Sequence, residues 1–183
     1  SSPSQSAPSP SRLDPERVLP GRGPVRLHCR IGLEEIVAEE CPPDWNARPA
    51  GAGSVDLEFR GSLARLASLR TALSAGFVIP VDAGALRRDA VGALAEAITS
   101  PDAVRLIESL TRGQVRYRLE IAGGRQRAQV LRLVEALAAR RPAWINDPAD
   151  RDWELSVVEG FERGQPTVSH VELSPRIPDS RFP

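Results

Sequence analysis

The chain has 183 residues, 41% of them hydrophobic, and its 24 basic side chains balance 24 carboxylates, which allows one large packed domain or two small ones. Two cysteines are too few for a disulfide framework, and no CxxC or Cys/His spacing suited to a metal occurs. No apolar run reaches the ~20 residues of a membrane-spanning helix, and Ser1–Ser11 has no apolar stretch of the signal-peptide kind, so a reduced, cytoplasmic setting without a membrane is expected.

The sequence holds no methionine, so Ser1 is expected to be a processed, trimmed or engineered start. Every basic side chain is an arginine. With abundant alanine, that usage fits codon bias in a GC-rich genome, which explains the residue type but not its clustering.

Residues 1–23 are rich in Ser, Pro and Gly and offer little to bury, so a disordered leader is expected. Val25–Arg30 alternates Val25, Leu27 and Cys29 with Arg26, His28 and Arg30, the pattern of a half-buried strand. Gly32 turns the chain into a helix with Leu33, Ile36, Val37 and Cys41 as its apolar stripe. Glu34 and Glu35 suit the positive end of its dipole, and Pro42-Pro43 end it. Residues 43–53 read as loop. Val55–Phe59 alternates again, Ser62 caps a helix reaching about Leu73, and Phe77–Val81 is a short apolar strand. This half reads β-α-β-α-β, a small sheet with helices on one face.

The second half starts near Gly84. Leu86, Val91, Leu94, Ala95 and Ile98 make one helix, and Pro101 opens another through Leu110. Val115–Ile121 alternates strictly and predicts a strand. Gly123-Gly124 turns it into a helix carrying Val130, Leu131, Val134 and Leu137. Residues 143–146 form a short extended piece, and Trp153–Val158 and Thr167–Leu173 are strands joined by a polar loop. Residues 174–183, with three prolines and no periodicity, read as a linker. The fold class is α+β.

Charge is distributed unevenly. Residues 31–59 carry six more acids than bases, whereas Arg112, Arg116, Arg118, Arg125, Arg127, Arg132, Arg140 and Arg141 face only Glu120 and Glu135. Arginine grips phosphate with a planar fork and stacks on bases. Arg116 and Arg118 share one strand face, while Arg125 and Arg127 open the next helix, whose N-terminal amides favour an anion. A charge run of this kind is often only a solvated surface. The scarcity of interleaved acids favours phosphate contact, provided the arginines gather on one outward surface. Base-stacking aromatics are few, which favours reading RNA shape and backbone.

Catalytic motifs are missing from the sequence: no GxSxG, HExxH, P-loop, GxGxxG after a strand, or Asp-rich metal loop. No cofactor or metal is therefore expected in this chain. His28 and His170 fall opposite the apolar positions of their strands and read as solvent-exposed, and Cys29 reads as packing. A small enzyme with an unrecognised site around His170, Asp147 and Asp152 is one alternative. A protein-interaction module whose acidic first helix (Glu34, Glu35, Glu39, Glu40) docks a basic partner is another.

The order of these pieces resembles the THUMP-containing RNA methyltransferases. Val25–Arg30 followed by Gly32-Leu33-Glu34-Glu35-Ile36-Val37-Ala38-Glu39-Glu40 is similar to that family's opening strand and "GLE…A.EE" helix. Ser54–Phe59, Gly61-Ser62-Leu63 and Leu69-Arg70-Thr71-Ala72 resemble the segments that follow it. Further on, Val115–Ile121, the helix from Arg125, Trp144-Ile145-Asn146-Asp147-Pro148 and Trp153–Val158 resemble the THUMP domain. Pro178–Pro183 is similar to the linker that enters the methyltransferase domain.

The resemblance implies a ferredoxin-like domain at 24–83, a THUMP-like RNA-binding domain at 84–174 and a linker at 175–183. It also implies binding of transfer RNA near its acceptor stem and 3′ end. S-adenosylmethionine would be held by a separate Rossmann-like methyltransferase domain of the same parent chain. The sequence departs from the family in stopping before that domain and in lacking extra residues between the first strand and Gly32, so this chain is expected to position substrate and not to catalyse.

Overall fold

A computed structural model describes residues 12–121 and 127–177. Alternation in the sequence becomes strand wherever both faces have a use. β1 (Gly23–His28) is followed by α1 (Glu34–Glu40), a single 3-10 turn at Pro43–Trp45, β2 (Arg48–Gly51), β3 (Ser54–Phe59), α2 (Leu63–Ala67) and β4 (Ser74–Pro80). Then come α3 (Ala83–Arg88), α4 (Ala90–Ile98), α5 (Pro101–Leu110), β5 (Arg116–Ile121), α6 (Arg127–Arg140), β6 (Ile145–Asn146), β7 (Trp153–Glu162) and β8 (Gln165–Pro175). The α+β class expected from the sequence is the one observed.

All eight strands join one sheet in the order β2-β3-β1-β4-β8-β7-β5-β6. The first four, in the element order β-α-β-β-α-β with every pairing antiparallel, form the split β-α-β arrangement called ferredoxin-like. In the second half, β5 runs parallel to β6 and β7, while β7 and β8 make a long antiparallel hairpin. The halves meet where β4 pairs with β8, Phe77 opposite Leu173.

Register decides which face is buried. Leu57, Val25, Phe77, Leu173, Leu155 and Leu119 lie side by side across six strands, and all are buried. Side chains alternate along a strand, so this row marks one apolar face. The inward residues of α1 (Val37), α2 (Leu63, Leu66), α4 (Leu94, Ile98), α5 (Leu106, Ile107) and α6 (Leu133, Leu137) join the same core. The opposite face is polar. Ring contacts cross the core from Trp45 to Phe59 (5.3 Å), Phe59 to Phe77 (5.9 Å) and Phe77 to Trp153 (6.4 Å). The last of these spans the junction of the halves. Trp45 and Trp153 donate their indole N–H to the Arg60 carbonyl (3.0 Å) and the Thr111 hydroxyl (2.9 Å), so neither ring is buried with an unmet donor.

Several expectations change. Of the leader expected to be disordered through residue 23, residues 1–11 lie outside the described residues, but 12–22 are an ordered strap. Leu13 and Leu19 are buried, Leu13 bridges Thr111, Val18 bridges Ser62, and Arg12 donates to Asp152 (2.6 Å) and Asp150 (3.2 Å). The segment 43–53, expected as loop, contains the 3-10 turn and the edge strand β2. The helix expected around Leu86–Ile98 is two helices, because Asp89 leaves helical geometry and its side chain accepts from Gly92 N as the N-cap of α4. Ile36, expected on the inward stripe of α1, is exposed, and Val37 alone is fully buried there.

The strap makes a direct prediction. Leu13→Ala is expected to lower stability to urea by about 2–5 kcal/mol, as for other buried leucines. Val18→Ala, at an exposed position of the same strap, should leave the urea midpoint nearly unchanged.

Candidate nucleic-acid interface

β5 presents Tyr117 and Leu119 to the core, so Arg116 and Arg118 emerge on the polar face of the sheet. α6 packs through Leu133 and Leu137 against the apolar face. The sheet therefore stands between the strand arginines and the helix arginines. The cationic segment, compact in sequence, is divided between two sides of the molecule.

On the polar face the arginines are largely matched by acids. Arg116 donates to Asp147 (2.8 Å). The Asp150 amide and this guanidinium hold the Asp147 carboxyl below its usual range. Arg118 sits beside Glu154, its registered neighbour on β7, and near Glu120. Those two carboxyls share a hydrogen bond, which raises the pKa of Glu120 and lowers that of Glu154. Arg151 reaches Glu154 at 3.4 Å. In the first half, Arg26 makes a two-pronged contact with Asp56 (2.8 and 3.1 Å). It borders a shallow cleft of about 430 Å³ that Arg48 and Glu58 also line. A face so evenly balanced has little attraction for a polyanion.

The remaining predicted residues that the structure describes lie on the helical side or at its ends. Arg112 is held by Asp14 (3.0 Å) and keeps that carboxyl below its ordinary pKa. Arg141 approaches Glu108 (3.7 Å). Arg125 falls outside the described residues. Arg127, Arg132 and Arg140 are exposed, and among the described residues none has a carboxylate within ion-pair distance. They stand at the start, middle and end of α6 and span about 20 Å along its axis. Exposed Leu131 lies among them.

Tyr117 and Trp144 are structural. Tyr117 is buried, with its hydroxyl pKa pushed up to about 12 by that burial, and packs 6.5 Å from Trp144. Trp144 donates to Glu108 (3.1 Å).

The alternative catalytic group is not assembled. Asp147 is engaged by Arg116, and Asp152 is fully buried and accepts from the Arg12 amide (2.9 Å) and guanidinium. His170 lies five positions along β8 from Pro175, the partner of Trp153, about 16 Å away at the rise of a strand. Of the acidic first helix, Glu34 accepts from the Gly32 and Gly53 amides, and Glu40 from the Arg70 amide and the Thr71 amide and hydroxyl. Of the four, Glu35 and Glu39 remain turned to solvent. Among the described residues no group of His, Cys, Asp and Glu could hold a metal, and no helix is long and apolar enough to cross a membrane.

His170 departs from the expected exposure, whereas the His28 side chain stays 39% exposed. His170 is buried, and its Nε2 lies 2.9 Å from one Glu172 oxygen, while His28 Nε2 lies 2.8 Å from the other. The alternation places them on the correct face but cannot show a carboxylate between them.

No protein-family model and no curated protein matches the sequence. Solved structures do align with the chain. TrmN from Thermus thermophilus aligns over 81% of this chain and 45% of its own at 17% identity, with a TM-score of 0.50. A predicted N6-adenine-specific DNA methylase from Listeria monocytogenes aligns over 84% of this chain and 40% of its own (17% identity, TM-score 0.48). A 4-thiouridine synthetase, solved with RNA and bound ATP, aligns over 85% and 42% (10% identity, TM-score 0.49). This chain thus spans less than half the length of these proteins, and the likeness to TrmN is one of fold.

The Arg116–Asp147 contact has a pH signature. Asp147 has a depressed pKa, so its contribution is present above the ordinary aspartate value of 3.8 and fades as pH falls through the lower folded value. Asp147→Asn should therefore melt below wild type at neutral pH, and the gap should narrow as pH falls below 3.8 and through the lower folded value.

Proposed function

We propose that this chain is the RNA-binding, substrate-positioning region of an RNA-modifying enzyme of the methyltransferase class, with transfer RNA as its substrate. The reading rests chiefly on one observation: α6 carries Arg127, Arg132 and Arg140 without carboxylate partners among the described residues. The fold shared with TrmN and the resemblance in the order of sequence motifs support it. On this reading the polyanion lies along the outer side of α6; Arg125, also proposed as a contact, precedes that helix by two residues in the sequence. Arg112 and Arg141 are peripheral because each is shared with a carboxylate. Arg116 and Arg118, across the sheet, serve the fold more than the ligand.

Chemistry belongs to another part of the parent protein. S-adenosylmethionine would be held by a separate methyltransferase domain, and this chain would fix where the RNA lies relative to it. The domain limits implied by the resemblance, 24–83 and 84–174, are part of the proposal, as is the linker at 175–183.

The test is transfer RNA binding measured across a salt series. Changing Arg127, Arg132 and Arg140 together to Glu is expected to weaken binding and to flatten the slope of log K against log salt by about 0.7–0.9 for each phosphate no longer neutralised. Arg48→Glu, on the far edge strand, should change neither. An unaltered slope in the triple variant would dismiss the assignment.

A further inference from the structure

The junction between the halves carries a polar cluster that RNA binding does not use. β1 and β8 do not pair, because β4 lies between them. Even so, Glu172 on β8 reaches across β4 to His28 on β1 while its other oxygen meets His170. Gly76 of β4 makes that reach possible. A methyl group there would lie 3.1 Å from Glu172 Cβ, 3.2 Å from its Oε2 and 2.9 Å from Ser174 Oγ. Any side chain at this position would push the carboxylate away from His28.

We propose that His28, Glu172 and His170 form a protonation-dependent clasp that ties the two halves of the sheet together across Gly76. The ion pair is complete only while the His28 imidazole carries its proton. Losing that proton removes the imidazolium charge, so an ion pair weakens to a hydrogen bond between a neutral imidazole and the Glu172 carboxylate at the strand junction. Halves joined in this way are rigid in mildly acidic solution and looser in alkaline solution.

The surroundings favour this switch. His28 faces Arg26 on its own strand and Asp56 on β3. β4 offers Gly76 and Val78, β7 offers Ser156 and Val158 opposite Glu172 and His170, and neither strand adds a titratable group at these positions. The hydrogen bond to Glu172 raises the His28 pKa above the ordinary histidine value of 6.5, against the opposing effect of burial. Burial works against the Glu172 charge, but hydrogen bonds from both histidines overcome it and bring the pKa down to about 2.

The His28 contribution is fully present below pH 6.5 and disappears as pH rises through its higher folded value. The Glu172 contribution is present above pH 4.5 and disappears as pH falls toward about 2. The clasp is therefore strongest between about pH 4.5 and 6.5.

Two measurements on the whole chain test it. An NMR titration of His28 in the wild-type protein should give a pKa above 6.5, and Glu172→Gln should bring it down. Protection factors from hydrogen exchange at the β4–β8 amides should fall several-fold between mildly acidic and mildly alkaline solution in wild type but stay level in His28→Gln. A His28 pKa at or below 6.5, or equal pH dependence of protection in wild type and His28→Gln, would overturn the proposal. Because the titration uses the unaltered protein, a variant that folds poorly leaves the question decidable. RNA binding is not part of either readout, so this idea and the functional one stand or fall separately.

Discussion

Phe77 and Trp153 meet across the junction of the two halves with their rings 6.4 Å apart, inside a row of apolar side chains that crosses the sheet strand by strand. That row is the constraint on which the rest depends. Every inward position is hydrophobic, so the helices that cover it must lie on the same side. The other face is left to charged and polar groups, which neutralise one another in pairs. One sheet covered on one side gives the molecule two dissimilar surfaces.

This sidedness reorganises the electrostatics. The clustered arginines lie close in sequence, but β5 delivers Arg116 and Arg118 to one side of the sheet and α6 delivers Arg127, Arg132 and Arg140 to the other. Those on β5 enter a field of carboxylates, and those on α6 stay clear of them among the described residues. A partner attracted by phosphate recognition meets a helix, not a strand. The strap at residues 12–22 adds rigidity by joining the ends of α5 and β7 to the start of α2. Leu19 N donates to the Gly61 carbonyl (2.9 Å), and Arg12 crosses to Asp152.

Much of this is legible in the sequence, for identifiable reasons. β1, β3 and β5 each set apolar against polar residues with period two, so both their type and their inward face can be read. β2 cannot, because all four of its residues are exposed on a sheet edge and carry no period. The strap is hidden because Leu13 and Leu19 lie among charged residues and prolines with no apolar period, and their partners are far away in the chain. The division of the arginines is implicit in the alternation. Tyr117 inward on β5 and Leu133 and Leu137 inward on α6 already imply that Arg116 and Arg132 point apart. The histidine pair is out of reach, since only strand order brings Glu172 across Gly76 to His28.

The central claim is that a polyanion lies on α6 and not on the polar face of the sheet. Hydrogen exchange of the chain with and without transfer RNA tests this most directly. Slower exchange is expected along α6, with β1 and β8 unaffected. Protection concentrated on β1, β5 and β8 with α6 unchanged would contradict it.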